Sequence, residues 1–157
     1  MNAALRPMTP ADIDEVVKVD QEVFGAEAWT AQMLASELEQ QPGSRYYLVA
    51  HIGGQVVGYG GLLGAGGQSD VVTLAVAIRH WGQGIGSALL KALMAEASRR
   101  GCGEIFLEVR TDNNRAQDLY RRHGFTAIGI RRGYYQPSGA DALVMRRDLA
   151  GAGAEDQ

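Results

Sequence analysis

The sequence has 157 residues, of which 46% are hydrophobic, and a formal net charge of -3 at pH 7. This length supports one well-buried core and is too short for two ordinary domains, so we expect a single domain over residues 1–149. The negative charge argues against a surface that binds nucleic acid directly. The single cysteine, Cys102, excludes an intrachain disulfide and a cysteine-rich metal site.

Further features narrow the expected class of protein. No positively charged segment followed by an apolar stretch opens the chain, and no run of about 20 apolar residues occurs in it, so we expect a cytoplasmic protein without a membrane partner. The histidines, His51, His80 and His123, lack the spacing of metal ligands, and no metal is expected. Residues 150–157 are mostly glycine, alanine and acidic residues, and they are predicted to form a disordered tail. The expected assembly is a monomer or a weak oligomer.

The first third of the chain predicts a strand over residues 2–7 followed by two helices. Thr9-Pro10 marks the start of the first helix, because threonine caps helices well and proline is favoured at the first helical position. The second helix begins after Trp29-Thr30 and ends at Pro42-Gly43. Trp29 lies in the link between the helices, where it either lines a pocket or fills the seam between them.

Three strands are predicted next. The runs 46–52 and 55–63 are rich in β-branched and aromatic residues, and Gly53-Gly54 between them favours a tight hairpin turn. The glycine-rich loop 64–68 is predicted to break the pairing before a third strand over 70–78.

The segment 84–100 has the strongest helical pattern in the chain. Ile85, Leu89 and Leu93 recur every four residues, and Gly101 follows as a C-terminal stop. A helix with one buried stripe is therefore predicted here.

The last elements are predicted to be a strand, a short helix and two more strands. Residues 104–110 alternate between apolar and other side chains, as a strand with one buried face does. Asn113 or a neighbour caps the short helix, and the final strands cover 125–131 and 142–147. The whole order of elements predicts an α/β protein with a mixed sheet and helices on both faces.

A glycine-rich loop directly precedes the long helix. Gly82, Gly84 and Gly86 stand at alternate positions, so the backbone can turn several amides toward one point at the helix start, where an anion is favoured. No Lys-Ser or Lys-Thr pair follows, and Ser87 stands where a dinucleotide-binding loop beginning at Gly82 needs its last glycine. The loop is therefore either a phosphate site of another kind or a plain turn into the helix.

The chain carries an ordered series of short motifs around this loop: Gly82-Gln83-Gly84-Ile85-Gly86, Leu107-Glu108-Val109-Arg110, Asn113-x-x-Ala116, Leu119-Tyr120, Gly124-Phe125. This series resembles the GNAT (GCN5-related) N-acetyltransferases over nearly the whole chain. Together with residues 131–135, it is similar to the RimI-type branch, which acetylates the N-terminal alanine of small-subunit ribosomal protein eighteen. The resemblance implies the GNAT fold, a mostly antiparallel sheet with two splayed parallel central strands and helices on both faces.

The same resemblance implies a site for acetyl-CoA in the gap between the splayed strands, with no metal. The pyrophosphate is expected on the glycine-loop amides, the pantetheine arm is expected to pair with the preceding strand, and an asparagine is expected to contact the arm. The implied cofactor-binding residues are Leu74, Ala75, Val76, Gly82, Gln83, Gly84, Ile85, Gly86, Ser87 and Asn113. Trp81 stands where these loops usually carry arginine or glutamine.

Glu108 and Tyr120 take the catalytic roles that the resemblance implies. Glu108 is the general base that removes a proton from the incoming α-ammonium, and Tyr120 is the acid that protonates the leaving thiolate. These roles agree with the chemistry, because an α-ammonium of pKa about 8 must lose a proton before it can attack. On the sequence alone, without the resemblance, the simpler readings are a paired or solvated carboxylate for Glu108 and a core tyrosine for Tyr120.

The first functional hypothesis is a protein N-terminal acetyltransferase whose acceptor is a ribosomal-protein N-terminus. Trp29, Tyr134 and Tyr135 are expected to shape the peptide groove. A second hypothesis keeps the reaction and replaces the acceptor with a small-molecule amine or a protein lysine. The third is a non-catalytic acyl-CoA-binding domain.

Overall fold

The computed structural model describes residues 2–149. Met1 and residues 150–157, which include the predicted tail, lie outside the described residues. Eleven main elements follow one another in the predicted order: β1 (Ala4–Pro7), α1 (Ile13–Phe24), α2 (Ala31–Leu38), β2 (Arg45–Ile52), β3 (Gln55–Ala65), β4 (Gln68–Val76), α3 (Ile85–Arg99), β5 (Glu104–Arg110), α4 (Asn114–Arg122), β6 (Thr126–Arg131) and β7 (Ala142–Asp148). None of the helices within residues 2–149 is long and apolar enough to span a membrane.

The strands form one seven-stranded sheet in the order β1-β2-β3-β4-β5-β7-β6. All neighbours are antiparallel except β4 and β5, which are parallel and pair only where 68–70 lies beside 104–106. On its other edge β5 pairs with β7 along its whole length. The two central strands therefore separate beyond Asp70 and Phe106 and leave an open gap, which confirms the predicted fold with its splayed parallel pair.

Two apolar clusters cover the two faces of the sheet. One cluster contains Ile85, Leu89 and Leu93 of α3 together with Tyr120 of α4, and all four are buried. The other contains side chains of α1 and α2, among them the fully buried Leu34. The predicted stripe of α3 and the predicted helices on both faces are confirmed.

The connection between β3 and β4 differs from the prediction. The loop 64–68 was expected to break the pairing, but Ala65 pairs directly with Gln68. Gly66 and Gly67 make the turn with φ of 67° and 86°. Two successive left-handed residues match the twist of a two-residue hairpin, so the glycines shorten the loop and do not interrupt the sheet.

A β-bulge in β4 changes which face its side chains cover. Gly61 pairs with Thr73 and Leu62 with Val71, so Val72 has no opposite residue on β3. Val71 packs in the cluster beneath α3, whereas Ala75 packs in the cluster beneath α1 and α2. The bulge therefore turns the second half of β4, where the gap opens, so that Thr73 and Ala75 face α1 and α2.

Candidate active site

A cleft of about 780 Å³ occupies the gap between β4 and β5. Its wall includes the predicted cofactor-binding residues Leu74, Ala75, Val76, Gly82, Gly84, Ile85, Gly86, Ser87 and Asn113. Gln83 does not belong to this wall, and its Oε1 lies 3.2 Å from Nδ1 of His80, which does. The splay of two strands thus brings the end of β4, the glycine loop and the start of α4 together around one space.

The glycine loop presents the start of α3 to this cleft. Gly82 and Gly84 have φ of 80° and 82°, backbone angles that residues other than glycine rarely adopt. Gly84 is the N-cap of α3 and has no side chain with which to cap the helix. The first helical bond runs from the Ala88 amide to the Gly84 carbonyl at 3.0 Å, so the three amides of 85–87 lack a helical acceptor. Arg115 and Arg122 also line the cleft. Free amides and two guanidinium groups fit a phosphate-bearing ligand.

Trp81 lies at the edge of the cleft and contacts both of its walls. Its Nε1 donates a hydrogen bond to the Val76 carbonyl at 2.7 Å, and the Arg115 guanidinium lies 4.0 Å from the indole ring centroid. The indole therefore joins the end of β4 to α4 by a hydrogen bond and a cation–π contact. The sequence marked Trp81 only as unusual in the loop.

A second cavity of about 120 Å³ adjoins the cleft on the side of β5. Trp29, Glu108 and Tyr135 line it, and Tyr120 lines both spaces. Tyr134 lies outside both walls in the described structure, with 43% of its surface exposed, and its ring packs edge-on against Tyr135 with a centroid distance of 5.0 Å. The cavity brings together both predicted catalytic residues and two of the three predicted acceptor residues.

Strand alternation and strand splay together place Glu108 in the second cavity. Ile105, Leu107 and Val109 are buried beneath α3, so Glu108 faces the opposite side, two residues beyond the last β4–β5 pair. Burial raises the pKa of its carboxyl, and the negative charge of Asp70 raises that pKa further. The Arg131 guanidinium, with Nη1 3.8 Å from Glu108 Oε2, lowers it. A carboxyl with a raised pKa that remains 24% exposed is suited to accept a proton.

Tyr120 is buried between α4 and the cleft. Its ring packs against Phe125 with a centroid distance of 5.9 Å, and burial raises the pKa of its phenol. Within residues 2–149 its hydroxyl makes no hydrogen bond, although the residue lines both spaces. A neutral phenol with a free hydroxyl can donate a proton to a group in the cleft.

The structure also shows an ion pair in the wall of both spaces that sequence reasoning missed. Arg110 Nη1 lies 2.8 Å from Glu27 Oε1, and Ser138 donates a hydrogen bond to the other carboxylate oxygen of Glu27. This contact joins the link between α1 and α2 to the loop between β6 and β7. Arg110 belonged to a recognised motif, but no sequence signal connects it with Glu27, which lies 83 positions earlier.

Comparison with known proteins agrees with this geometry. The sequence profile of the Acetyltransferase (GNAT) family matches residues 13–125. The chain is 40% identical over 146 residues to the N-alpha-acetyltransferase RimI of Mycobacterium tuberculosis, covering 90% of this chain and 89% of that protein. The crystal structure of Ard1 from Thermoplasma volcanium is similar with a TM-score of 0.86 and 28% identity, covering 94% and 98% of the two chains. The ribosomal-protein-S18-alanine N-acetyltransferase from Escherichia coli has a TM-score of 0.82 and 26% identity, covering 94% of each chain.

Proposed function

The chain belongs to the GNAT family of acetyltransferases, and we propose that its acceptor is the α-amine of a protein N-terminal residue, most specifically the N-terminal alanine of small-subunit ribosomal protein eighteen. Membership of the family makes it an acetyl-CoA-dependent N-acetyltransferase. Relatives named for N-terminal and S18-alanine acetylation support this acceptor. The observation that carries the proposal is the cavity in which Glu108 and Tyr120 meet beside the cofactor cleft.

The cleft residues are assigned to acetyl-CoA. The amides of 85–87 hold the pyrophosphate. The edge of β4 that faces β5 accompanies the pantetheine arm at 74–76, where β4 pairs with β3 on its other edge and no longer with β5. Asn113 uses its Oδ1 to cap α4, accepting from the Ala116 amide at 3.1 Å, which leaves its NH2 group for the arm. When bound, acetyl-CoA supplies an acetyl thioester, whose carbonyl carbon is the electrophile and whose sulfur is the leaving group.

Glu108 takes the proton that must be removed from the acceptor. An α-ammonium of pKa about 8 is mostly protonated at neutral pH and has no free electron pair until a base removes a proton. The raised pKa of Glu108 makes its carboxylate a better acceptor for that proton, while the Arg131 guanidinium limits the rise. Since Glu108 is partly exposed, a water molecule can carry the proton between the two groups.

Tyr120 supplies the proton for the sulfur. As the amine nitrogen bonds to the carbonyl carbon and the carbon–sulfur bond breaks, the electron pair of that bond goes to sulfur, and the phenol donates its proton there. After it bonds to the carbonyl carbon, the nitrogen carries two hydrogens and a positive charge. It passes the second proton through water to the Tyr120 phenolate, which restores the phenol and leaves a neutral amide, and Glu108 releases to solvent the proton that it took. The buried phenol begins each turnover neutral because its pKa is raised.

A three-acceptor experiment tests the function. One peptide begins with alanine and copies a ribosomal-protein N-terminus, a second is the same peptide with its α-amine blocked and a lysine kept, and the third acceptor is a small primary amine. We expect transfer to the first peptide alone, with mass spectrometry locating the acetyl group on the α-amine. Transfer to the blocked peptide would identify a lysine acetyltransferase, and turnover of the small amine alone would identify an acetyltransferase of small-molecule amines. Binding of acetyl-CoA without any transfer would identify a non-catalytic domain.

A further inference from the structure

A fully buried carboxylate lies behind the acceptor cavity. Asp20 of α1 is 0% exposed, and within residues 2–149 it makes no ion pair. Its Oδ2 accepts a hydrogen bond from the Trp29 amide at 2.7 Å, and its Oδ1 accepts one from the Tyr59 hydroxyl at 2.5 Å. A buried charge is costly unless donors satisfy it, so this carboxylate holds both groups firmly in place.

The Tyr59 hydroxyl also contacts a residue of the acceptor cavity. Its oxygen lies 3.2 Å from Thr73 Oγ1, and Thr73 lines the cavity together with Glu108. The bulge in β4 directs Thr73 to the face of the sheet that Glu108 occupies. A chain of hydrogen bonds therefore runs from Asp20 through Tyr59 to Thr73.

The direction of these bonds follows from counting hydrogens. A phenol has one hydrogen. Both oxygens of Asp20 act as acceptors, Oδ2 from the Trp29 amide and Oδ1 from the Tyr59 hydroxyl at 2.5 Å, so Tyr59 gives its hydrogen to Asp20. The 3.2 Å contact must then be made by the Thr73 hydroxyl donating to the Tyr59 oxygen. With its only hydrogen used, Thr73 Oγ1 can only accept hydrogen bonds from the cavity.

We propose that Thr73 Oγ1 is a second hydrogen-bond acceptor for the incoming amine, and that Tyr59 and Asp20 are positioning residues that hold it in that orientation. This inference rests on the proposed amine acceptor. An α-ammonium has three N–H groups, of which Glu108 takes one proton. A hydrogen bond from a second N–H to Thr73 holds the nitrogen while its freed electron pair forms the new bond. An acceptor whose nitrogen has no second N–H, beyond the one whose proton Glu108 takes, cannot make this hydrogen bond and binds less well.

A double-mutant cycle in KM for the alanine-initiated peptide tests this inference. Thr73→Val removes the oxygen at nearly constant volume, and we expect KM to rise about tenfold, as for loss of one hydrogen bond. Thr73→Ser, which keeps the hydroxyl, should recover most of that loss. Tyr59→Phe should raise KM in the wild-type background and have no further effect in Thr73→Val, because it acts through Thr73. The affinity for acetyl-CoA should stay the same in all variants.

Tyr47→Phe is the matched control. Tyr47 is also a fully buried tyrosine whose hydroxyl donates to a carboxylate, Glu37, at 2.7 Å, but it lies outside the cavity wall described above. It should lower the melting temperature as Tyr59→Phe does and leave KM unchanged. Equal KM values for Thr73→Val and wild type, or additive effects of Thr73→Val and Tyr59→Phe, would overturn the inference.

The same experiment separates this inference from the proposed function. If the wild-type protein leaves the peptide unmodified, the proposed acceptor is wrong, and the cycle is measured with the lysine peptide or small amine that it does acetylate. If the wild type acetylates the peptide but the cycle shows no coupling, the function stands and the role of Thr73 fails.

Discussion

Replacing Glu108 with glutamine removes the proposed base at nearly constant size. A positioned general base contributes about 10²–10⁴-fold, and we expect the lower end, because Glu108 is 24% exposed and water can partly replace it. The expected fall in kcat/KM at pH 7 is therefore about 10²-fold, equivalent to about 2.7 kcal/mol of transition-state stabilisation. Release of the CoA thiol, measured with the alanine-initiated peptide between pH 5 and pH 9.5, provides the assay.

The pH dependence tests the same assignment a second way. Glu108 accepts a proton only when ionised, so wild-type kcat/KM should fall as the pH drops through the pKa of Glu108. Since that pKa is raised, the fall begins at a higher pH than for an exposed glutamate. The free fraction of the acceptor amine increases from about a tenth at pH 7 to nearly all at pH 9.5, so the deficit of Glu108→Gln should narrow about tenfold.

Glu104→Gln is a matched control on the same strand. Glu104 points to the same face of β5 but bonds Arg146, with Oε1 2.7 Å from the guanidinium, away from the cavity. Its replacement should change kcat/KM by less than about twofold, as expected for a surface ion pair. An unchanged rate for Glu108→Gln at pH 7, or equal losses in the two variants, would refute the assignment of the base.

Three further predictions concern the neighbouring groups. Tyr120→Phe keeps the ring that packs on Phe125 and removes the acid, so kcat should fall about tenfold or more while the Kd for acetyl-CoA, measured by titration calorimetry, stays the same. Gly84→Ala places a side chain on a backbone with φ of 82°, so it should lower the free energy of unfolding by about 1 kcal/mol and weaken acetyl-CoA binding. Gly101→Ala is the control, because Gly101 has φ of 80° but lies beyond the other end of α3. It should lower the free energy of unfolding by the same amount and leave acetyl-CoA binding unchanged. Arg131→Gln removes the cation that lowers the pKa of Glu108, so the acidic limb of the pH profile of kcat/KM should move to higher pH. An acidic limb at the wild-type pH, or an equal shift in the control variant Arg132→Gln, would contradict this reasoning.

The helices and the glycine loop were predictable because local chemistry determines them. The spacing of Ile85, Leu89 and Leu93 defines one buried face wherever the helix packs, and Asn113 caps α4 with its own side chain. Gly84 was recognisable as a helix start because a glycine there permits a left-handed backbone without strain. The motif series around these elements was sufficient to identify the family.

The residues that were expected to shape the peptide groove were harder to predict. Trp29 was left open between a pocket wall and a core side chain, and the structure shows both, since it lines the cavity and packs against the cluster beneath α1 and α2. Tyr134 and Tyr135 are neighbours in sequence, yet only Tyr135 lines the cavity. Tyr134 lies outside that wall but lowers the pKa of Glu108 through a side-chain hydrogen bond. Which of two adjacent aromatic residues lines the cavity depends on the path of a loop, and hydrophobic pattern does not specify that path.

The sequence by itself determined the order and type of the elements, the glycine-rich turn that precedes α3, and the strand alternation that places Glu108 on the face of β5 opposite Ile105, Leu107 and Val109. Those features depend on residues a few positions apart. Only the tertiary structure decided that β7 lies between β5 and β6 and that a bulge places Thr73 on the same face of the sheet as Glu108. It also decided that two hydrogen bonds of the Tyr59 hydroxyl connect Asp20 with Thr73. The contact between Asp20 and Tyr59 joins residues 39 positions apart, and it forms because a buried carboxylate needs a donor once packing brings the two together. The carboxylate is buried, and therefore requires a donor from the protein, only after the chain has folded.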